Sequence, residues 1–147
     1  MIEREMDVLE EVVERCKTIL GETLVSIVLF GSAARGLQDS RSDIDLLVVV
    51  NKDVNSDFLR DIRIEMLLKY SVKLDMILMS KQDVIDNFEH FSPLFLSFVL
   101  GISVIVDDGS FEREYFKFLN QLKEEKIKYV EGGKVWDLQK ISSEILQ

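Results

Sequence analysis

Apolar residues recur at three- and four-residue steps through Ile2, Met6, Leu9, Val12, Val13, Cys16, Ile19 and Leu20. That spacing predicts an amphipathic helix, with Gly21 as its C-cap. The period then changes. "LVSIVLF" (residues 24–30) and "DIDLLVVV" (43–50) are short, β-rich apolar runs and predict two strands. Phe58, Leu59, Ile62, Met66 and Leu67 share one helical face, with Ser56 as N-cap. "VKLDMILMS" (72–80) predicts a third strand. "KQDVIDNFEHF" and "SPLFLSFVL" predict two short helices, with Pro93 at an early helical position. "ISVIVDD" predicts a fourth strand and "SFEREYFKFLNQLKEEKIKYV" a long helix. Gly132 and Gly133 break that helix, and a final one runs toward Gln147.

Helix, strand, strand, helix, strand, helix, helix, strand, helix is the order of an α/β layer, a small sheet flanked by helices. Strands one and two are joined by a loop rather than a crossover helix. At least one antiparallel pair is therefore expected, and so a mixed sheet. The longest charge-poor stretch, residues 91–106, is too short to span a membrane and contains Pro93 and Gly101. It reads as a buried helix followed by a buried strand. With no repeat, low-complexity segment or long linker, the chain reads as one domain over residues 1–147.

Composition narrows the picture. Of the 147 residues, 47% are hydrophobic and 31% charged, as in ordinary globular proteins. Eighteen basic against 27 acidic side chains give a net charge of −9. That sign argues against direct binding to a nucleic-acid backbone, which is held by Lys and Arg. A single cysteine, Cys16, excludes an internal disulfide framework and reads as a small core residue in a reducing compartment. Acidic residues interrupt the N-terminus, so it lacks the shape of a signal peptide, and a cytoplasmic protein is expected.

The chemistry gathers between strands one and two. Gly31-Ser32 follows the first strand and precedes "AARG". Glycine lets a backbone approach a ligand closely, and the first N–H groups of a helical turn favour an anion. Ser32 can cap that turn or give its hydroxyl to a phosphate, and Arg35 adds a cation. The loop is not a Walker A loop, since Leu37 and Gln38 follow Gly36. It is not a dinucleotide fingerprint, since "GSAARG" lacks the middle glycine. Asp43 and Asp45 are two apart on a strand and face one side. Two carboxylates ~4 Å apart repel by about 4 kcal/mol at an effective dielectric of ~20. A divalent cation reverses that sign, and oxygen-only ligands point to Mg²⁺ or Mn²⁺. The competing reading is a pair of aspartates blunting a strand end. Asp75 lies in "KLDMIL" and joins the pair if strand three lies beside strand two. It then ligates the metal or accepts a proton. Otherwise it is an edge residue paired with Lys73 or Lys81. His90 has no partners that would make a triad and reads as non-catalytic.

Gly31-Ser32, ten residues, Asp43-x-Asp45 and a later strand aspartate together resemble the nucleotidyltransferase superfamily with the DNA polymerase β-like fold. "GSAARGLQDSRSDIDLLVVV" is similar to the minimal nucleotidyltransferases, the MNT or MntA-like antitoxins. The resemblance implies that Gly31 and Ser32 hold a triphosphate, and that Asp43, Asp45 and Asp75 bind two Mg²⁺ and form the catalytic set. Arg35 and Arg41 are implied as further nucleotide contacts. It implies transfer of AMP from ATP to a hydroxyl with loss of pyrophosphate. The chain leaves no residues for an acceptor domain, so the acceptor is expected on a partner, a tyrosine of a HEPN-domain toxin. The alternatives are a non-catalytic binding antitoxin or structural subunit, and a small-molecule nucleotidyltransferase acting as a homodimer.

Overall fold

The computed structural model describes residues 3–37 and 43–147. The first helix, α1 (Glu3–Leu20), buries Val12, Val13, Cys16 and Leu20 of the predicted stripe and adds Val8, whereas Met6 and Ile19, expected on the same face, are exposed at its margins. Cys16 is fully enclosed, and burial pushes its thiol up to about 11. A single 3₁₀ turn, Gly21–Thr23, then leads into β1 (Leu24–Phe30). After α2 (Gly31–Ala34), the chain continues through β2 (Ile44–Val50), α3 (Asp57–Tyr70) and β3 (Leu74–Ser80). Next come α4 (Lys81–Glu89), α5 (Pro93–Ser97) and β4 (Ser103–Asp107). The remaining elements are α6 (Ser110–Leu122), β5 (Lys128–Glu131), β6 (Lys134–Asp137) and α7 (Leu138–Ile145).

Among the described residues the main sheet has the order β3-β2-β1-β4. β1 runs antiparallel to β2 and β4, whereas β2 and β3 are parallel, joined through α3. This is the mixed sheet expected from the short β1–β2 connection. β2 is covered on both faces because alternate side chains point to opposite sides. Leu46 and Val48 meet an aliphatic layer from α1 and α3. Leu47 and Val49 meet an aromatic layer from α4 to α7. In that layer Phe88 packs edge-on against Phe95 at 4.7 Å and lies 4.8 Å from Phe118. Tilted and edge-on rings gain attraction beyond the area they bury.

The structure corrects several expectations. The long helix ends at Leu122 instead of continuing to Val130. Beyond it Tyr129 faces Trp136 and Val130 faces Val135 across a β-hairpin. Gly132 and Gly133, at φ of 61° and 75°, form its turn. A Gly-Gly pair at positive φ between aromatic and β-branched residues matches the twist of a hairpin, which a helix cannot use. β4 is an edge strand rather than a buried one, with Ser103 and Ile105 exposed, because only β1 pairs with it. Leu67 points away from the core and is 52% exposed. Ser56 precedes α3 without a side-chain cap; instead Asn55 Oδ1 accepts from Asp57 N at 2.9 Å. No helix among the described residues is long and apolar enough to cross a membrane.

Candidate active site

Three strands deliver side chains to one end of the sheet. β1 finishes at Phe30, whose register partner is Asp45 near the start of β2. In the parallel pairing of β2 with β3, Asp45 stands beside Asp75. Strand register therefore brings together two aspartates that lie thirty positions apart in the chain. Asp75 is exposed because β3 borders the sheet. Asp43, just before β2, is half-buried and has Lys73 Nζ at 3.8 Å from its Oδ2. The expected partners of Asp75 are otherwise engaged, since Lys81 pairs with Asp108 at 3.4 Å.

Gly31 turns the chain out of β1 at φ 72°. A Cβ there would lie 2.2 Å from Asp45 Oδ2. Any other residue at this position would displace the carboxylate. The turn closes by its own backbone, with Ser32 O accepting from Arg35 N at 3.2 Å and Leu37 N at 2.9 Å. Ser32 does not cap it; the N-cap position is Phe30, and no side chain caps there.

Lys73 compensates the negative charge at Asp43, and Asp45 carries the strain of the rest. Burial first, then the charges of Asp75 and Asp43, push the Asp45 carboxyl up to about 6. No three Asp, Glu, His or Cys side chains among the described residues converge into a ready-made metal cage. The donors are all hard oxygens. Such a set suits Mg²⁺, which commonly takes only one or two protein carboxylates and completes its shell with phosphates and water.

The nucleotidyltransferase domain family model matches residues 9–145. The chain belongs to this family. The nucleotidyltransferase is 30% identical over 138 residues to "Putative protein adenylyltransferase MJ1305" of Methanocaldococcus jannaschii, covering 90% of this chain and 92% of that one. Its fold is shared with a chain of a crystallised toxin–antitoxin with AMP-PNP, at TM-score 0.55 and 15% identity over 84% of this chain and 89% of the other. It is likewise shared with a structure of the tri-AMPylated Shewanella oneidensis HEPN toxin in complex with MNT antitoxin. There the TM-score is 0.51 and the identity 14%, over 82% and 87% of the two chains.

Other residues of this nucleotidyltransferase lie differently from expectation. Arg35 has its guanidinium taken by Glu131 of β5 through an ion pair, with a second approach of Nη2 to Oε1 at 3.5 Å. Its Nε is buried without a hydrogen-bond partner among the described residues. Nothing in the local sequence pointed to Glu131, which lies 96 positions away. The Gly-Gly hairpin signal was the available clue. Arg41 lies outside the described residues. His90 sits at the end of α4, its Nδ1 2.8 Å from Asp86 O, in a C-cap setting.

Proposed function

We propose that this nucleotidyltransferase moves AMP from ATP to a tyrosine hydroxyl of a HEPN-type toxin, acting as its antitoxin. One observation carries the proposal: Asp45 and Asp75 stand side by side, with Gly31 turned directly against Asp45. A glycine that leaves room at a carboxylate is the arrangement a bound triphosphate needs, because phosphate oxygens must come close to the backbone and to the acidic group together. The acid set is then a ligand set in waiting rather than a strand-end decoration.

In this reading the backbone of Gly31 and Ser32 receives the triphosphate. Asp43, Asp45 and Asp75 would hold Mg²⁺, which when bound would neutralise phosphate charge and relieve the carboxylate repulsion. Arg35 steadies the turn through Glu131, and Arg41 is the expected loop cation. A carboxylate oxygen of Asp75, on the open side, accepts the acceptor's proton. The tyrosine oxygen forms a bond to the α-phosphorus as the bond from that phosphorus to the bridging oxygen breaks, and pyrophosphate departs. The partner is supported by the shared fold with an MNT antitoxin crystallised with its HEPN toxin. The chain's charge of −9 also suits a basic, RNA-handling protein.

Incubation with ATP, Mg²⁺ and a HEPN-type protein should add one or more AMP masses to that protein. Asp43→Asn should abolish the addition. A stable complex without mass gain, unaffected by Asp43→Asn, would instead identify a binding antitoxin. AMP transfer only to small hydroxyl compounds would identify a small-molecule enzyme.

A further inference from the structure

We infer that the groove between α1 and the edge strand β4 is a docking surface for a basic amphipathic helix of a partner protein. The inference goes beyond the AMP-transfer reading and does not rest on it.

The groove follows from how α1 is flanked. On one side α3 holds it, through the ion pairs Arg15–Glu65 and Lys69–Glu11. Met6 lies nine residues from Arg15, about 180° round the helix. On that opposite side α1 borders an open groove of about 410 Å³. Met6, Leu9 and Val13 form its helical wall, and Ile105 and Val106 of β4 form the other. Met6 is 58% exposed and Ile105 37%. An exposed apolar surface with a polar rim marks a place where something binds, and methionine adapts to what it meets there.

The strand wall decides the shape of the occupant. Ile27 faces Val106 and Val28 faces Val104, which leaves Ile105 as the extra residue of a bulge. A bulge breaks the ladder and blunts an edge against an added strand. The same bulge lets two successive side chains, Ile105 and Val106, enter one groove. Side chains of a helix, not the backbone of a strand, fit a trough of this kind. From Met6 to Lys17 the helical wall runs about 18 Å at 1.5 Å per residue, the length of roughly three turns.

Charge decides its chemistry. Glu10 and Glu14 stand on the rim with Lys17, and Asp7 continues their ridge one turn earlier. Lys17 Nζ lies 4.0 Å from Glu14, which uses up the cation. Asp7 and Glu10 are exposed and have no ion pair among the described residues. A second copy would set one acidic ridge against another, and phosphate groups of a membrane or nucleic acid would be repelled likewise. A helix with an apolar stripe and Lys or Arg beside it meets both the walls and the ridge. β4 and β3 are opposite borders of the sheet, so such a helix leaves Asp75 uncovered.

The test uses three fluorescent, alanine-rich peptides of roughly 20 residues, long enough to be helical alone. The first carries a leucine stripe flanked by lysines. The second has glutamates for the lysines. The third keeps the first composition with its leucines scattered round the helix. By anisotropy the full chain should bind the first at least tenfold tighter than either other. Met6→Glu and Ile105→Glu should each weaken that binding tenfold or more. Glu10→Lys should weaken the lysine peptide and favour the glutamate one, and it serves as the independent variant should an apolar change not fold. Asp45→Asn should bind the first peptide like the unaltered chain. The inference is overturned if the unaltered chain binds no peptide or binds all three alike, or if the folded variants bind like the unaltered chain. Self-association in sedimentation that Met6→Glu abolishes would also overturn it, in favour of a second copy on this face. Peptide preference in a chain whose melting ATP with Mg²⁺ does not shift would uphold the docking surface and overturn the nucleotide reading.

Discussion

Gly31 and Asp45 occupy one shared space: a methyl on the first would lie 2.2 Å from Oδ2 of the second. Gly31 is also at φ 72°, where a side chain costs about 1–2 kcal/mol. Gly31→Ala should therefore weaken the fold as well as the site, by about 2 kcal/mol or more. For a chain of this size each kcal/mol is roughly 2–4 °C of melting temperature. The clash and the backbone strain are separable. Asp45→Gly in the Gly31→Ala background should recover the clash and leave the strain. A denaturation cycle should thus show a coupling of at least ~0.5 kcal/mol. Additive losses would mean that the two residues do not compete for space.

Asp45 also makes the stability of the protein depend on pH. In an unfolded chain its carboxyl ionises near ~3.9, whereas in the fold it is pushed up to about 6 by burial and then by Asp75 and Asp43. A group raised on folding stabilises fully below its unfolded value, and that contribution is lost as pH rises through about 6. At pH ~8, without divalent ions, Asp45→Asn should melt higher than the unaltered protein, by about 1 kcal/mol after solvent screening. The gap should narrow toward pH ~5. A gap that widens on acidification would show that the repulsion is absent.

The Arg35–Glu131 pair should tie the β5–β6 hairpin to the Gly31 turn. The side chain of Arg35 is only 16% exposed and that of Glu131 36%. Removing one partner of a buried pair is costly, but here water reaches the acid, so Glu131→Ala should cost about 1–2 kcal/mol. Urea unfolding measures that loss, and amide exchange across residues 128–137 should quicken. Glu131→Gln should do less. If both variants unfold like the unaltered chain and exchange at the same rate, the hairpin is held by other contacts.

Periodicity made the helix stripe of α1 and the strands β1 to β3 legible, because their apolar patterns are long and each pattern fits one element type. The side-by-side placement of Asp45 and Asp75 was expected only if β3 adjoined β2. Strand order is a tertiary property, and the lack of a crossover helix between β1 and β2 only constrained it. The segment before Gly132-Gly133 reads as helix because Lys123 to Lys126 continue a helix-compatible composition. The hairpin's signal lay in the four residues around the turn, where Tyr129, Val130, Val135 and Trp136 favour strands. Leu67 is exposed for a reason its position does carry: one residue past Met66, about 100° round the helix, it stands off the stripe of Leu59, Ile62 and Met66 that the core takes. Lys73 beside Asp43 and Glu131 beside Arg35 were not legible, because side chains that meet through tertiary packing leave no periodic trace.

The central position of β2 sets the order in which the molecule comes apart. Leu46 and Val48 are locked into one layer and Leu47 and Val49 into the other, so this strand cannot open unless both layers do. It belongs to the last foldon to yield, while the hairpin, with Val130 and Val135 in water, sits among the first. Warming thus frees Glu131 well before it disturbs Asp45. The acidic end of the sheet keeps its geometry up to the global transition, and whatever loosens beforehand does so at the periphery.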